Sequence, residues 1–138
     1  EALEGSRRTS GDGHPNTLAS ISNLGSLLQD QGKLSEAEPL LFEALKAARQ
    51  ALSDGHPGTL TSINNLGSLL QSQGKLSEAE PLLREALEAS RQNLGDGHPD
   101  TLKSINNLGL LLQAREHKQS WFVASRSRQA ERSRAATP

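Results

Sequence analysis

The sequence predicts an all-α fold of the solenoid type: about two and a half copies of a helix pair, wound into a right-handed α-α superhelix. Three observations carry this. Gly11–Leu52 and Ser53–Leu94 are nearly the same text 42 residues apart, and a third copy runs from Gly95 faithfully to about Gln113. The apolar content is almost all Leu, Ile and Ala, with Trp121, Phe42 and Phe122 the only aromatics, which favours helices over sheets. Within each copy the apolar residues recur at helical rather than strand spacing.

The chain divides by this period into 1–10, the end of a helix from a preceding repeat; 11–52 and 53–94, two full repeats; 95–115, the first helix of a third; and 116–138, a divergent basic tail or terminal cap. Glu1-Ala2-Leu3-Glu4 matches Glu85-Ala86-Leu87-Glu88 in register, so the chain is expected to open inside a helix and to fray there. Each repeat then begins Asp-Gly-His-Pro, at 12–15, 54–57 and 96–99. Proline suits the first turn of a helix, where its missing N–H has no partner to lose.

From Thr59 to about Ser72 the residues Leu60, Ile63, Leu66 and Leu70 share a narrow arc that also holds Gly67, with Leu69 outside it. Gly67 leaves room for a neighbouring helix, and Gln73-Gly74-Lys75 ends the element with a left-handed cap. Ser77-x-x-Glu80 reads as a capping box for the second helix, with Pro81 still in the first turn. Leu76, Ala79, Leu82, Leu83, Ala86, Leu87 and, weakly, Leu94 form its buried stripe. Ser35, Glu38, Pro39, Leu40, Leu41, Ala44 and Leu45 repeat the pattern one copy earlier.

In the third copy Glu116 stands where Gly32 and Gly74 make the turn, and the text after it matches neither earlier repeat. From Arg115 to Pro138 there are six basic and two acidic residues, about +4, against about −5 for the rest of the chain. Two readings stand: an atypical cap on the last repeat, or a splice or frame discontinuity, the second being preferred. Beyond about Ser125 disorder or a solvated, frayed helix is expected.

Composition excludes several functions. There is no Cys, hence no disulfide, thiolate metal site or cysteine nucleophile. A formal charge of −1 gives no whole-chain attraction to nucleic acid or anionic membrane. No apolar run approaches the ~20 residues of a spanning helix. His14, His56 and His98 recur with the period, but with no Cys and no His at i+3 or i+4 they read as capping or packing residues at the helix start rather than metal ligands. Glu36 and Glu38, like Glu78 and Glu80, lie two apart on a helix and so face different ways, which rules out an acid–base pair. The Gly-rich loops lack the Gly-Lys-Ser/Thr ending of a phosphate loop. No cofactor and no enzymatic activity are expected.

The pattern Ile63-x-x-Leu66-Gly67-x-x-Leu70 followed by Ala79-x-x-x-Leu83 is similar to the tetratricopeptide repeat. Two departures are a missing closing proline, with Arg91 in its place, and a period about eight residues longer than the common form. The loop at 94–101, Asn-Asn-Leu-Gly at 106–109 and Gln-Gly-Lys-Leu-Ser-Glu-Ala-Glu-Pro-Leu at 73–82 resemble the 42-residue repeats of kinesin light chain and its relatives, over roughly 1–114. The heptad segment by which kinesin light chains join the motor is not in this chain.

The resemblance implies that the first helices line a concave groove. About 180° from Ile63 lie Thr61, Asn65, Ser68 and Ser72; their equivalents are Ala19, Asn23, Ser26 and Asp30, then Lys103, Asn107, Leu110 and Ala114. Asn23, Ser26, Thr61, Asn65, Ser68, Lys103 and Asn107 are the candidate peptide-binding residues. Short polar side chains leave space for an extended peptide, and Asn can both donate to and accept from its backbone. In the kinesin light chain family, acidic cargo peptides containing an aromatic lie in this groove, and its Asn and Lys positions match Asn65, Lys103 and Asn107. Of the carboxylate clamp in chaperone-binding relatives, only Asn65 and Lys103 match. The plainer reading of an Asn-rich face is a solvated helix side, since duplication copies such residues too.

The expected function is therefore a non-enzymatic protein-interaction module binding an extended, acidic peptide; the alternative is a run of spacer repeats in a larger scaffold. Implied partners are a protein or peptide ligand, kinesin heavy chain through regions outside this chain, and further copies through cut solenoid ends. Nucleic acid and membrane are not expected partners. The implied location is cytoplasmic and microtubule-associated.

Overall fold

A computed structural model describes residues 14–136 as five helices. The helix-end reading of 1–10 lies outside them. In chain order the helices are α1 (Pro15–Asp30), α2 (Leu34–Ala51), α3 (Pro57–Ser72), α4 (Leu76–Leu94) and α5 (Pro99–Ala135). There is no strand among the described residues.

Each odd-numbered helix starts on the proline of Asp-Gly-His-Pro, with the histidine as its cap. Nδ1 of His14, His56 and His98 accepts the backbone N–H of Asn16, Gly58 and Asp100 at 3.2, 3.0 and 3.1 Å. An imidazole nitrogen thus does the work usually given to Ser or Asp, satisfying one of the free donors at a helix start. α1 and α3 end at Gly32 and Gly74, both at φ 77°. Lys75 N–H reaches back to Leu70 O at 2.8 Å and Gly74 N–H to Gln71 O at 2.9 Å, so the last carbonyls are satisfied by a Schellman turn.

The second helices begin earlier than the sequence suggests. Lys33 and Lys75 occupy the cap positions and make no side-chain cap bond, so Ser35 and Ser77 fall inside the first turn and no capping box forms. Glu38 and Glu80 face the next repeat instead. Pro39 and Pro81 are sixth in their helices, two residues further in than expected. The carbonyl four residues before each has no N–H partner in the helix. Ser35 and Ser77 are exposed, so water can reach those carbonyls.

Packing follows the chain. α3 touches α1, α2, α4 and α5; the backbones of successive first helices come close, whereas the second helices α2 and α4 reach each other only through long side chains. The stack therefore closes toward its first-helix side and opens on the other. Contact on so many sides widens the buried arc of α3 to include Leu69, which the single-face reading left out, along with Thr59, Ser62 and Asn64. The core runs through Leu41, Leu45, Ile63, Leu66, Leu69, Leu83 and Leu111, with Ala37, Ala79 and Ala86 letting helices approach.

The tail departs most from expectation. With Glu116 in place of the turn glycine nothing reverses the chain, and α5 continues as one 37-residue helix, about 55 Å long, to Ala135. Residues beyond Ser125 form a solvated helix, the second of the two alternatives expected for them. From Glu116 to Ala136 every side chain is exposed, apart from half-buried Ser125.

Candidate functional site

The predicted row of polar residues lies on the sides of α1, α3 and α5 turned away from their leucine stripes. Asn23, Thr61 and Lys103 are exposed; Ser26, Asn65, Ser68 and Asn107 are half-buried. Two members are already engaged. Thr61 donates its hydroxyl to Pro57 O one turn back at 2.9 Å. Ser68 accepts from the Gln29 amide at 3.5 Å, and that amide also donates to Ser72 at 3.3 Å, which ties α1 to α3. Lys103 and Asn107, four apart, stand one turn from each other on α5.

Asn107 is the chemically conspicuous member. Its Nδ2 is shielded from solvent and has no acceptor among the described residues. A buried donor left without a partner costs about 1–3 kcal/mol, and turning this half-buried side chain outward onto an acceptor regains that energy. Lys103 beside it supplies the positive charge that favours a carboxylate as the source.

The neighbouring asparagine behaves differently. Asn64 is buried between repeats and donates to Ser104 Oγ at 2.9 Å, while Ser104 donates to Asp100 O at 3.0 Å. The helical pattern of the sequence alone does not mark this pair. The available signal was that Asn64, on the period, becomes Asn106 and faces Ser104 only if α3 and α5 touch. Asn106 itself is exposed.

The outer side carries the ionic links. Glu38 accepts from Gln73 at 2.9 Å and from Lys75 at 3.1 Å, and the Gln73 bond, then Lys75, hold its carboxyl below the ordinary carboxylate value. One repeat on, Arg115 occupies Gln73's place and bonds Glu80, which Arg84 also holds at 2.9 Å. Arg84 is the main cause of the lowered Glu80 value. Arg49 forms a two-pronged bridge to Glu85 at 2.8 and 2.9 Å, joining α2 to α4. Between these links opens a cleft of about 740 Å³ with Leu45, Leu66, Leu70 and Leu82 in its walls and exposed Phe42 at its lip. It faces away from the asparagine row, and no single stretch of sequence shows it, because its leucines come from three helices.

Among the described residues no group of three or more His, Asp or Glu is placed to hold a metal ion. No described helix is long and apolar enough to cross a membrane.

Comparisons agree with this architecture. A tetratricopeptide repeat family model matches residues 1–50, 18–92 and 59–120. A sequence search of curated proteins gives no match. Among solved structures, the nearly identical TPR-like repeats of a kinesin light chain from Podosopora anserina superpose with a TM-score of 0.76 at 29% identity, covering 86% of this chain and 56% of that one. A variant of that protein gives 0.68 at 27% identity, covering 96% and 64%. BtubC (BKLC) from P. vanneervenii gives 0.71 at 21% identity, covering 99% and 55%, which supports the fold. The chain thus spans between 55% and 64% of the length of these three structures. Tetratricopeptide repeats of this architecture are in general scaffolds for protein–protein interaction. The helix pairs, their glycine-capped turns and their 42-residue period place the chain in the tetratricopeptide repeat family, in its kinesin light chain-like type.

Proposed function

We propose that the chain is a non-enzymatic protein-binding module that takes an extended, acidic peptide along Asn23, Ser26, Thr61, Asn65, Ser68, Lys103 and Asn107. The observation that carries the reading is the Asn107 amide nitrogen, shielded and without an acceptor among the described residues, one turn from exposed Lys103. A peptide carboxylate or carbonyl laid along the row gives Asn107 its missing acceptor and Lys103 its counter-charge. The curvature toward the first helices supports the same side as the inner wall of a groove. By analogy with kinesin light chain repeats, the role is that of a cytoplasmic, microtubule-associated adaptor, joined to a kinesin heavy chain through regions outside this chain.

Recognition of one short peptide is expected at about micromolar Kd, or about −8 kcal/mol. Fluorescence anisotropy with a labelled acidic peptide containing Trp measures it. Lys103→Glu combined with Asn65→Ala should abolish binding, and Asn107→Leu should weaken it at least tenfold while preserving helix content. Unchanged affinity in these variants would reject the groove.

A second reading, spacer repeats in a larger scaffold, is supported by exposed Asn106. Its equivalent Asn64 is buried on the next repeat, so Asn106 stands where a further repeat would stack. A scaffold of this kind predicts no peptide affinity in the same titration.

A further inference from the structure

One side of α5 carries an uncovered apolar stripe. Leu102, Ile105 and Leu112 are exposed, although their equivalents Leu60, Ile63 and Leu70 are buried. A side chain added at Gly25 or Gly67 would strike Leu41 or Leu83 of the paired second helix, whereas at Gly109 it would meet nothing within 4 Å. This face is shaped for a second helix, and α5 has none.

The chain's own tail fits that place poorly. Folded back in register with α4, it would set Trp121 at the position of Ala79, Ser125 at that of Leu83 and Arg128 at that of Ala86. It runs straight on instead.

We propose that two copies of the chain pair antiparallel through α5, the C-terminal half of each helix covering the open face of the other. Ser120, Val123, Ser127 and Ala130 lie 18 residues beyond Leu102, Ile105, Gly109 and Leu112. Eighteen residues are five turns, so both quartets share one arc of about 80°. The first quartet is bulky apart from its glycine and the second is small, which is the complement that α4 offers α3 with Ala79, Leu83, Ala86 and Ser90.

A two-fold axis near residues 117–118 sets Leu112 against Val123 of the second copy, Ile105 against Ala130, and Gly109 past Ser127. Glu116 then meets Gln119 rather than itself. Charge agrees: residues 116–135 carry five Lys or Arg and two Glu, and α4, beside which the incoming half would lie, carries four Glu and two Arg. Two helices overlapped along about 55 Å bury an area on the order of the ~1,600 Å² of specific interfaces. Such an isologous contact closes at two copies. Lys103 and Asn107 face the opposite side of α5, so pairing and peptide binding can fail separately.

The whole chain lacks cysteine, which makes a clean test possible. Sedimentation of the 138-residue chain should show a mass rising with concentration to twice 14.8 kDa and no further. Leu112→Asp should raise the dissociation constant at least tenfold with unchanged helix content. Leu112→Cys chains mixed with Val123→Cys chains should cross-link on oxidation, and neither alone to the same extent. The two positions are about 16 Å apart along one helix and cannot bridge within a chain. A monomer at every concentration overturns the proposal and leaves the face to another protein's helix. An open series of oligomers, or equal cross-linking of either variant alone, overturns it as well.

Discussion

α3 and the first four turns of α5 are nearly the same sequence in two different surroundings. Leu60 is 1% exposed and Leu102 54%; Ile63 is 0% and Ile105 38%; Leu70 is 6% and Leu112 37%. The difference is not intrinsic to the helices, which carry the same stripe and start on the same proline and the same histidine cap. It comes from α4, which α3 has beside it and α5 lacks on the corresponding face. Helix formation and burial are thus separable in this chain: local signals set the first, and the neighbour sets the second.

The largest consequence concerns core truncation. Ile63→Ala removes a fully buried side chain among α2, α4 and α5 neighbours and should cost about 3–4 kcal/mol. Ile105→Ala, measured at concentrations too low for α5 to pair, should cost less than ~1 kcal/mol, because the removed atoms already meet water. Urea titration followed by far-UV circular dichroism checks both. Equal losses would mean that the third first helix is as well covered as the second.

Glycine gives the same comparison with opposite signs. A Cβ at position 67 would stand 2.5 Å from Leu83 Cδ2, and Leu83 is buried with no room to retreat. Gly67→Ala should therefore destabilise by about 1–3 kcal/mol through overpacking. Gly109→Ala meets no atom and should stabilise a dilute sample by up to ~1 kcal/mol through helix propensity. If the copies pair as proposed, its effect should shrink or reverse as concentration rises.

The turn that α5 lacks can be partly restored. Glu116→Gly puts back the residue that Gly32 and Gly74 use at φ 77°, at a cost of about 1 kcal/mol to a continuous helix. The exposed half beyond it has little to hold it, so mean helicity should fall while the transition of the preceding repeats stays put. Retained helicity would show that residues 117–135 are held by something other than continuity with α5.

These contrasts mark what was legible in the sequence. The period, the Pro start and the Gly stop fixed the helices of the two full repeats because each is a local backbone constraint. The histidine caps were legible for the same reason. The capping boxes were not: Ser77-x-x-Glu80 fits the motif, but the chain leaves Gly74 already turning, so Lys75 rather than Ser77 takes the cap position. Leu69 fell outside the expected stripe because a single stripe describes a helix with one partner, and α3 touches four. The tail was read by composition, which detects missing hydrophobic burial but not helical continuity, and the absent glycine at 116 was the better signal. Of the candidate site, the sequence offers residue types and helical spacing alone; that Ser68 is tied to Gln29 and that Asn107 lacks an acceptor among the described residues depends on packing between repeats.

The smallest effect separates the two outer carboxylates, which are equivalent by period and held by different means. Glu38 is kept below the ordinary carboxylate value first by the Gln73 hydrogen bond and then by Lys75; Glu80 is kept there chiefly by Arg84, with Arg115 beside it. A lowered folded-state value means that the unfolded chain binds the proton more readily. The stabilisation is therefore complete above the ordinary carboxylate range and fades as pH falls through the lowered folded value, with no change between pH 6 and 8. For the partly exposed Glu38 link the amount is about 0.5 kcal/mol, and salt should reduce only the Lys75 share of it, since an amide carries no charge to screen. Glu38→Gln should flatten part of the acid limb with little salt dependence. Glu80→Gln should flatten a part that 0.5 M salt largely removes, because both its partners are guanidinium groups. Acid titrations of the two variants at low and high salt read this directly, and identical salt responses would show that the amide-for-arginine exchange at positions 73 and 115 leaves the two junctions equivalent.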